Sequence, residues 1–455
     1  MSETLRPPAG SPRHYAFPDV ERHELSNELT LHVASLKRLP AVTALFMVDA
    51  GAECDPVPKA GVAALTVEAL SEGTRGHDAD ELASAFERLG GSLETDITWN
   101  RAECSTTVLT PRFAEALRLL GEVVTTPVFP AHDVDRLRDE RLAELLQQRA
   151  EPRGLADDMF ALLVHPPSHR YALPEGGDEH TVAPLSAEDV RSHHGLFYTP
   201  PCSALIVAGD VKAEEVRALA EDVFGRWRVN GGSAPEIPVC SAEETRGIHL
   251  VAKPDAPQSE LRIGHLSVPR LHPDFYALIV MNSVLGGLFN SRINLNLREE
   301  NAFTYGAFSM FDWKRFGSTW SVSTAVESHV TAAAVKEVLV EIDRMRQSRV
   351  DPAELSLAVD YLTGVFPIRF ETTAAIADAI ATREANGLER NYYDTYRERV
   401  AAVSADEVLS VAQRHLDPAR LQIVAVSDAQ AVRGSLEALH LGPVHVRNAA
   451  GEPVA

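Results

Sequence analysis

The sequence repeats one segment at a fixed spacing, and this repeat limits the possible folds more than any other feature. Residues 185–210 align without a gap on residues 403–428, at a constant offset of 218, and six of the 26 aligned pairs are identical. Each copy indicates a serine-capped helix, a proline-containing turn and a buried strand. Because solenoid repeats are only about 20–50 residues long, the sequence predicts two similar halves.

The elements around the repeat predict the same fold class in both halves. In the first half, a helical stripe is followed by strands at 92–97 and 102–109 and by a further helix. In the second half, an alternating strand at 318–325 precedes an amphipathic helix. Strands followed by paired helices favour α+β layers over an alternating βαβ sheet.

The length and one linker-like stretch predict the domain boundaries. A chain of 455 residues exceeds what one hydrophobic core usually serves. The stretch Val229–Pro238 lies near the midpoint and has the composition of a linker. We therefore predict a tail, a first domain, a linker and a second domain at residues 1–21, 22–230, 231–238 and 239–455.

The chain is acidic, with 65 Asp and Glu residues against 43 Lys and Arg residues and a net charge of −22. This charge repels phosphate backbones and anionic lipids, so it argues against nucleic acid and membrane partners. The four cysteines are scattered without a C-x-x-C pair, which is typical of a reducing compartment. There is neither a membrane-length apolar run nor a signal-peptide pattern, so we expect a cytoplasmic protein.

The segment Gly61–Thr74, GVAALTVEALSEGT, has the frame of a zinc-peptidase helix without its metal ligands. It resembles the signature of the pitrilysin/insulinase family, in which Gly-x-Ala and Gly-Thr enclose His-x-x-Glu-His. There, two histidines bind zinc and the glutamate activates water. By this resemblance Ala64 and Glu68 replace the histidines, and Val67 replaces the glutamate. Alanine and valine offer neither a metal-binding lone pair nor a proton acceptor, so the motif is degenerate.

The family's third zinc ligand is a glutamate farther along the chain. The segment RDERLAELLQQ resembles the one that carries it, and Glu144 matches the ligand, 76 residues after Glu68. One carboxylate cannot hold zinc in a tetrahedral protein site. Glu144 is therefore interpreted as a relic ligand or a partner in a helix salt bridge, and no metal or other cofactor is predicted in this chain.

Two pairs of histidines are further candidate ligands. His165 and His169 have the i, i+4 spacing of a helical zinc site, but two prolines between them exclude a regular helix. The adjacent His193 and His194 face different sides of their predicted helix. We interpret all four as structural residues.

The second half carries a pattern that retains functional residues. VMNSVLGGLFNSRINLNLREENAFTYGAFSMF resembles the family's Leu-Gly-Gly, Ser-Arg, Leu-Arg-Glu and Tyr series. The resemblance implies catalytic roles for Arg298, which would orient the peptide, and for Tyr305, predicted on a strand, which would donate to the oxyanion. Gly286, Gly287 and Ser291 are the candidate substrate-binding residues. The alternatives are a surface arginine, a strand tyrosine and glycines that only cap a helix.

The resemblance extends over nearly the whole chain and implies two related α+β domains, each a mainly antiparallel β-sheet covered by α-helices. In paired bacterial peptidases and in mitochondrial processing peptidase, one subunit of this family holds zinc and a ligand-free second subunit completes the chamber. The resemblance therefore implies a catalytically incomplete subunit that is inactive alone. It would act on a peptide substrate, with zinc in a homologous partner subunit.

Two other functions remain open. One is a purely structural assembly protein of the same fold, as the family's relatives in the respiratory cytochrome bc1 complex are. The other is a self-sufficient peptidase with unusual metal ligation. A neighbouring reading frame with an intact His-x-x-Glu-His would favour the heterodimer, a co-purifying membrane complex would favour the assembly protein, and zinc in the isolated chain would favour the third function.

Overall fold

The computed structural model describes residues 15–228, 235–241 and 245–454, which form two six-stranded β-sheets. The strands of the first sheet are β1 (Val20–Glu24), β2 (Thr30–Ser35), β3 (Ala41–Val48), β4 (Glu94–Ile97), β5 (Ala102–Leu109) and β6 (Ser203–Gly209). The strands of the second sheet are β7 (Gly247–Ala252), β8 (Gln258–Leu266), β9 (Ala307–Asp312), β10 (Thr319–Glu327), β11 (Gln422–Ser427) and β12 (Val444–Arg447). Each half of the chain thus supplies one sheet.

Helices connect and cover the strands in both halves. Those of the first half are α1 (Val62–Glu68), α2 (Ala79–Arg88), α3 (Phe113–Thr125), α4 (Ala131–Ala150), α5 (Pro152–Val164), α6 (Glu179–Val182), α7 (Ala187–Phe197) and α8 (Ala213–Phe224). Those of the second half are α9 (Phe275–Asn282), α10 (Arg292–Asn294), α11 (Thr331–Gln347), α12 (Pro352–Val365), α13 (Thr373–Ala385), α14 (Tyr392–Ala401), α15 (Ala405–His415) and α16 (Ala429–Glu437). None of the helices in the described residues is long and apolar enough to cross a membrane.

The two sheets share their topology over five strands. The strand order is β1-β2-β6-β3-β5-β4 in the first sheet and β12-β7-β11-β8-β10-β9 in the second. In each, one inner parallel pair, β2–β6 or β7–β11, is followed by antiparallel pairs. The outermost strand differs, because β1 is antiparallel to β2 whereas β12 is parallel to β7. Both sheets are mainly antiparallel, which confirms the predicted α+β fold.

The repeated segment has the same structure in both halves. The helices α7 and α15 each span eleven residues, and their positions preserve the offset of 218. Each begins with a capping box, in which Ser186 accepts from the N–H of Asp189 and Ser404 accepts from that of Glu407. Each leads through a turn to a fully buried strand, β6 or β11. The predicted duplication is confirmed.

One helix of each half packs on the sheet of the other half. The helix α5 packs on β8 and β11, whereas α13 packs on β3 and β6. On the first contact, Arg262 of β8 forms an ion pair with Asp157 of α5. On the second, the hydroxyls of Thr43 and Thr373 lie 2.8 Å apart. Because each half completes the core of the other, the two halves are interlocked.

An ionic cluster around the buried Glu53 also joins the halves. Arg315, which precedes β10, donates to Glu53 at 2.6 Å and to Asp49 at 2.7 Å. The Tyr171 hydroxyl donates to the other oxygen of Glu53 at 2.6 Å. Burial raises the pKa of Glu53, and Arg315 opposes that rise. Because an unpaired buried charge is strongly destabilising, these contacts fix the halves relative to one another.

The predicted tail and linker are described only in part. Residues 1–14 and 229–234 lie outside the described residues. Phe17, assigned to the tail, stacks on Tyr393 with ring centroids 4.6 Å apart, and β1 begins at Val20. Burial of aromatic surface stabilises this contact, so the last residues of the predicted tail belong to the fold.

Candidate functional site

The helix of the degenerate motif is held by a buried ion pair. The helix α1 begins after Gly61, whose φ of +97° and close approach to the Gly176 carbonyl leave no room for a side chain. The Asp55 carboxylate accepts from the N–H groups of Gly61 at 2.8 Å and Ala63 at 3.1 Å. Arg170 lies 3.4 Å from the same carboxylate, and both side chains are almost fully buried. The tight turn at Gly61 and the buried Asp55–Arg170 pair therefore hold the motif helix in place.

The three degenerate positions differ in their surroundings. Ala64 and Val67 are buried, with 7% and 1% of their surface exposed, and Val67 belongs to the core of the first half. Glu68 is exposed and lines a cleft beside α1. The motif helix therefore offers the cleft one carboxylate.

The cleft beside α1 has a volume of about 260 Å³ and contains both carboxylates at the family's ligand positions. Glu68, Glu140 and Glu144 line it together with Arg141. The Arg141 guanidinium lies 3.2 Å from Glu144 and also donates to the Gly176 carbonyl at 3.3 Å. Burial raises the pKa of Glu68, an effect that Arg141 opposes and that Glu144 and Glu140 reinforce. The cleft brings the carboxylates together, but a protein cation, Arg141, is already paired with Glu144.

These residues do not fit the zinc ion that the family resemblance implies. Zinc sites in proteins use three or four protein ligands, but of the three aligned ligand positions Ala64 supplies none and both histidines are missing. Arg141 neutralises Glu144 through the helix ion pair that one of the two interpretations predicted. The aligned residues therefore do not form the zinc ligand set of the family motif.

The glycine pair of the second half lies in a π-helical turn against β9. The helix α9 ends at Asn282, and Ser283–Gly287 form the turn. A Cβ atom at Gly286 would lie 2.4 Å from the Ser309 hydroxyl, so only glycine allows this close packing. Gly287 is exposed and lines a cavity. Of the two glycines, Gly287 is accessible to a ligand and Gly286 is a packing residue.

Tyr305 lies just before β9, and its predicted placement on a strand is corrected accordingly. Ala302 has a φ of +54°, and the Thr304 hydroxyl accepts from the Gly306 N–H at 3.1 Å. These two features turn the chain, so pairing with β10 begins only at Ala307. The turn leaves Tyr305 94% exposed.

Arg298 and Tyr305 line the same cavity, which has a volume of about 580 Å³. The Arg298 guanidinium lies over Phe289, 4.6 Å from the ring centroid, and its Nε is 3.3 Å from Glu299. Stacking holds the guanidinium while its N–H groups can still donate. The cavity therefore combines a phenolic donor with a cation, which suits a carbonyl or carboxylate oxygen. Ser291, in contrast, is 1% exposed.

A larger cavity of about 1,120 Å³ is also lined by Tyr305 and Gly287. Phe308 and Met310 line it from β9 and are 50% and 59% exposed. Because alternate residues of a strand share one face, they form an apolar strip. The volume exceeds the roughly 300–1,000 Å³ of small-molecule sites and suits an extended peptide. Within the described residues, neither cavity shares a lining residue with the cleft beside α1.

Of the four histidines interpreted as structural, three are buried and His194 is half-buried. His165 and His169 each bond to a backbone carbonyl, at 2.9 and 3.0 Å. His194 does the same at 3.0 Å, and His193 is enclosed by the core. Burial lowers the pKa of both His165 and His193 to about 3, so these rings are neutral at physiological pH.

Sequence reasoning missed the residues that hold the motif helix and occupy its cleft. Arg170 lies 115 residues after Asp55, and no local pattern links partners so far apart. Burial raises the pKa of Asp55 to about 6, and Arg170 opposes the rise. Arg141 could have been found, because it stands three residues before Glu144, at the spacing of a helical ion pair.

Two family models match this chain, one in each half. The model described as "Insulinase (Peptidase family M16)" matches residues 33–163. The model described as "Peptidase M16 inactive domain" matches residues 184–362. The matches therefore cover the degenerate motif and the Arg298/Tyr305 segment separately.

The chain is similar to curated proteins over most of its length. An uncharacterized zinc protease of Mycobacterium tuberculosis is 26% identical over 385 residues, which are 83% of this chain and 87% of that protein. A protein of Helicobacter pylori named a non-peptidase homolog is 22% identical over 374 residues, 81% of this chain and 84% of that protein.

The fold is similar to that of solved structures. A peptidase M16 inactive domain from Pseudomonas fluorescens has a TM-score of 0.84 and 22% identity, covering 90% of this chain and 97% of that chain. At this identity the likeness shows the fold alone.

Proposed function

Because this chain belongs to the insulinase family of peptidases, family M16, and its motif helix lacks the metal ligands, we propose that it is the non-zinc subunit of a heterodimeric metallopeptidase. A homologous partner subunit holds the zinc. This chain supplies Arg298 and Tyr305 to the partner's site. The observation that carries the proposal is the contrast between the buried Ala64 and Val67, which carry no ligand or base, and a Tyr305 that is 94% exposed.

The loss of chemistry at the motif helix argues for a partner. Val67 replaces the catalytic glutamate with a core side chain, so water cannot be activated there. Glu144, which aligns with the family's third ligand, is already paired with Arg141. Hydrolysis by this chain therefore requires a metal site on another subunit.

The position of Arg298 and Tyr305 supports a role at that site. Both line one solvent-open cavity, and the guanidinium is already oriented by Phe289. In peptide hydrolysis negative charge develops on the carbonyl oxygen, and a positioned donor stabilises it. The Tyr305 hydroxyl would donate to this oxygen, and Arg298 would orient the peptide through its carbonyl or terminus.

The larger cavity supports a peptide substrate. Phe308 and Met310 offer an apolar strip to substrate side chains, and Gly287 allows close approach of a backbone. Gly286 and Ser291 are buried, so their contribution would be through packing and not through contact with the peptide. The four cysteines of this chain, none of them in a disulfide, fit a reducing compartment, and we propose that the peptidase acts in the cytoplasm.

A purely structural role is the second candidate. It is favoured by the name of the Helicobacter pylori relative, a non-peptidase homolog. In that role Arg298 and Tyr305 would have no effect on any turnover.

The test is reconstitution with a homologous subunit that carries an intact His-x-x-Glu-His motif. We expect peptide hydrolysis by the pair and by neither chain alone. Tyr305→Phe keeps the ring but removes one oxyanion donor, so turnover should fall by about 10²–10³-fold. Arg298→Lys keeps the charge but loses the fork geometry, so it should also lower turnover.

The matched control is Tyr15→Phe, because Tyr15 is half-buried against Phe366 and Phe370 and lines neither cavity. It should leave turnover unchanged. Subunit association is measured separately by light scattering. Unchanged turnover in both Tyr305→Phe and Arg298→Lys, or loss only through failed association, would reduce the chain to a structural protein. Zinc-dependent hydrolysis by the chain alone would favour a self-sufficient peptidase.

A further inference from the structure

Three potential metal ligands converge between the start of α9 and the end of α15. His272 and Asp274 lie in the segment before α9, and His415 is the last residue of α15. A ligand atom from each lies within 4.8 Å of the other two. The motif helix and the segment of Arg298 and Tyr305 contribute nothing to this cluster.

The distances within the cluster are close to those of a metal site. His415 Nε2 lies 2.6 Å from an Asp274 carboxylate oxygen, and His272 Nδ1 lies 3.8 Å from the same oxygen. Ligand atoms about 2.0–2.2 Å from a tetrahedral zinc ion are separated by about 3.3–3.6 Å. The two separations from the Asp274 oxygen differ from this range by less than about 1 Å, and the third pair lies within 4.8 Å. The two imidazole rings are 5.2 Å apart, in an edge-on arrangement.

The site is partly enclosed but open on one side. The side chains of His272, Asp274 and His415 are 30%, 18% and 13% exposed. His415 also lines a cavity of about 250 Å³, which gives an ion a route from solvent and space for bound water. An accessible fourth coordination position is typical of zinc sites with three protein ligands.

Two protein contacts currently occupy the ligand atoms. Arg414 lies 3.1 Å from the Asp274 oxygen, but its side chain is 54% exposed and can move into solvent. His272 Nδ1 accepts from the Asp274 N–H at 3.1 Å, so this ring must release that bond or present its other nitrogen. A bound metal would replace the proton shared by His415 and Asp274 and displace Arg414.

We propose that His272, Asp274 and His415 form a binding site for one divalent transition metal ion, with zinc as the ion that two imidazoles and one carboxylate suit best. The ion would tie the segment between β8 and α9 to the repeated helix α15. Its role is structural, and the site is independent of the proposed peptidase partnership.

The test is a calorimetric titration of the metal-free full chain with zinc chloride, together with measurement of the Tm with and without zinc. We expect one zinc per chain and a rise in Tm with zinc, because a ligand that binds only the folded state stabilises it. His415→Ala and Asp274→Asn should each weaken binding by more than about 100-fold, since changes to outer-shell partners alone cost about 10–100-fold.

A variant with the opposite expected effect distinguishes the site from a simple ion pair. Arg414→Gln removes the competing cation, so zinc affinity should increase by about tenfold, or about 1.4 kcal/mol. The controls are His329→Ala, whose side chain is 74% exposed, and Glu144→Ala in the cleft beside α1. Both should bind zinc like the unmodified chain.

Three results would overturn the proposal. They are the absence of stoichiometric binding, binding that survives both His415→Ala and Asp274→Asn, and binding that is lost on Glu144→Ala. If His415→Ala does not fold, His272→Gln and Arg414→Gln still decide the question, since they must change the affinity in opposite directions.

Discussion

The first and second halves share a capped helix, a turn and a buried strand, yet two core positions of the shared helix differ in polarity. His193 and His194 of α7 correspond to Val411 and Ala412 of α15 at the offset of 218. Val411 and Ala412 are at most 1% exposed, His193 is buried and His194 is half-buried, and burial lowers the pKa of both histidines. The fold therefore tolerates neutral imidazole where the duplicate has aliphatic side chains.

The candidate functional segments of the two halves differ in their exposure to solvent. The motif helix of the first half keeps its backbone frame through Asp55 and Arg170, but Val67 has joined the core. In the second half Arg298 and Tyr305 line a cavity open to solvent. The two candidate segments thus differ in accessibility, because Val67 packs in the core whereas the turn before β9 exposes Tyr305.

The largest expected effect is that of restoring the family's glutamate in the first half. Val67→Glu places a carboxyl group at a position that is 1% exposed. An unpaired buried charge should lower the free energy of unfolding by about 3–5 kcal/mol. Urea denaturation measures this loss. The control is Val340→Glu on α11, where the native side chain is 45% exposed; equal effects at both positions would mean that this face of α1 opens to water.

A smaller effect is expected from making α7 resemble α15. The pKa of His193 is lowered to about 3 by burial, whereas an unfolded histidine titrates near 6.5. As the pH falls below about 6.5 the unfolded state binds the proton first, so each such histidine lowers stability by about 1.4 kcal/mol per pH unit. His193→Val should reduce this slope between about pH 6 and 4.

Denaturation across this pH range measures the slope for the variant and the unmodified chain. The exposed His329→Gln serves as a control and should leave the slope unchanged, since its side chain is 74% exposed. An identical slope for His193→Val would show that His193 is protonated in the folded protein.

The two capping boxes should contribute equally in the two halves. Ser186→Ala and Ser404→Ala each remove an oxygen that accepts from the third helical N–H. Each should lower the free energy of unfolding by about 1 kcal/mol. Ser356→Ala, an exposed position within α12, is the control. A difference of more than about 1 kcal/mol between the two variants would mean that the duplicated helices are held differently.

The smallest effect is expected at the cleft beside α1. The side chain of Glu144 is 66% exposed, so Glu144→Ala should change stability by no more than about 0.5 kcal/mol. It should also leave the zinc content of the isolated chain unchanged, as measured by elemental analysis. About one zinc per chain that disappears in this variant would show that the degenerate motif still binds metal.

The sequence went far in predicting the fold and less far in predicting the site. Local signals located the repeat, because the Ser186 and Ser404 caps and the strand patterns depend on neighbouring residues. The family resemblance located Arg298 and Tyr305. It could not establish that Gly286 and Ser291 are buried, because their burial depends on packing against β9 and neighbouring helices.

The sequence by itself determined the duplication and the α+β class, since these follow from residue type and local spacing, while the family resemblance supplied the prediction of a degenerate motif at Ala64 and Val67. Only the tertiary structure decided that α5 and α13 each pack on the sheet of the other half, and that Asp55 pairs with Arg170. It alone also brought His272, Asp274 and His415 together. Such contacts join residues that are distant in the chain, and their energies depend on burial and geometry that no local pattern encodes.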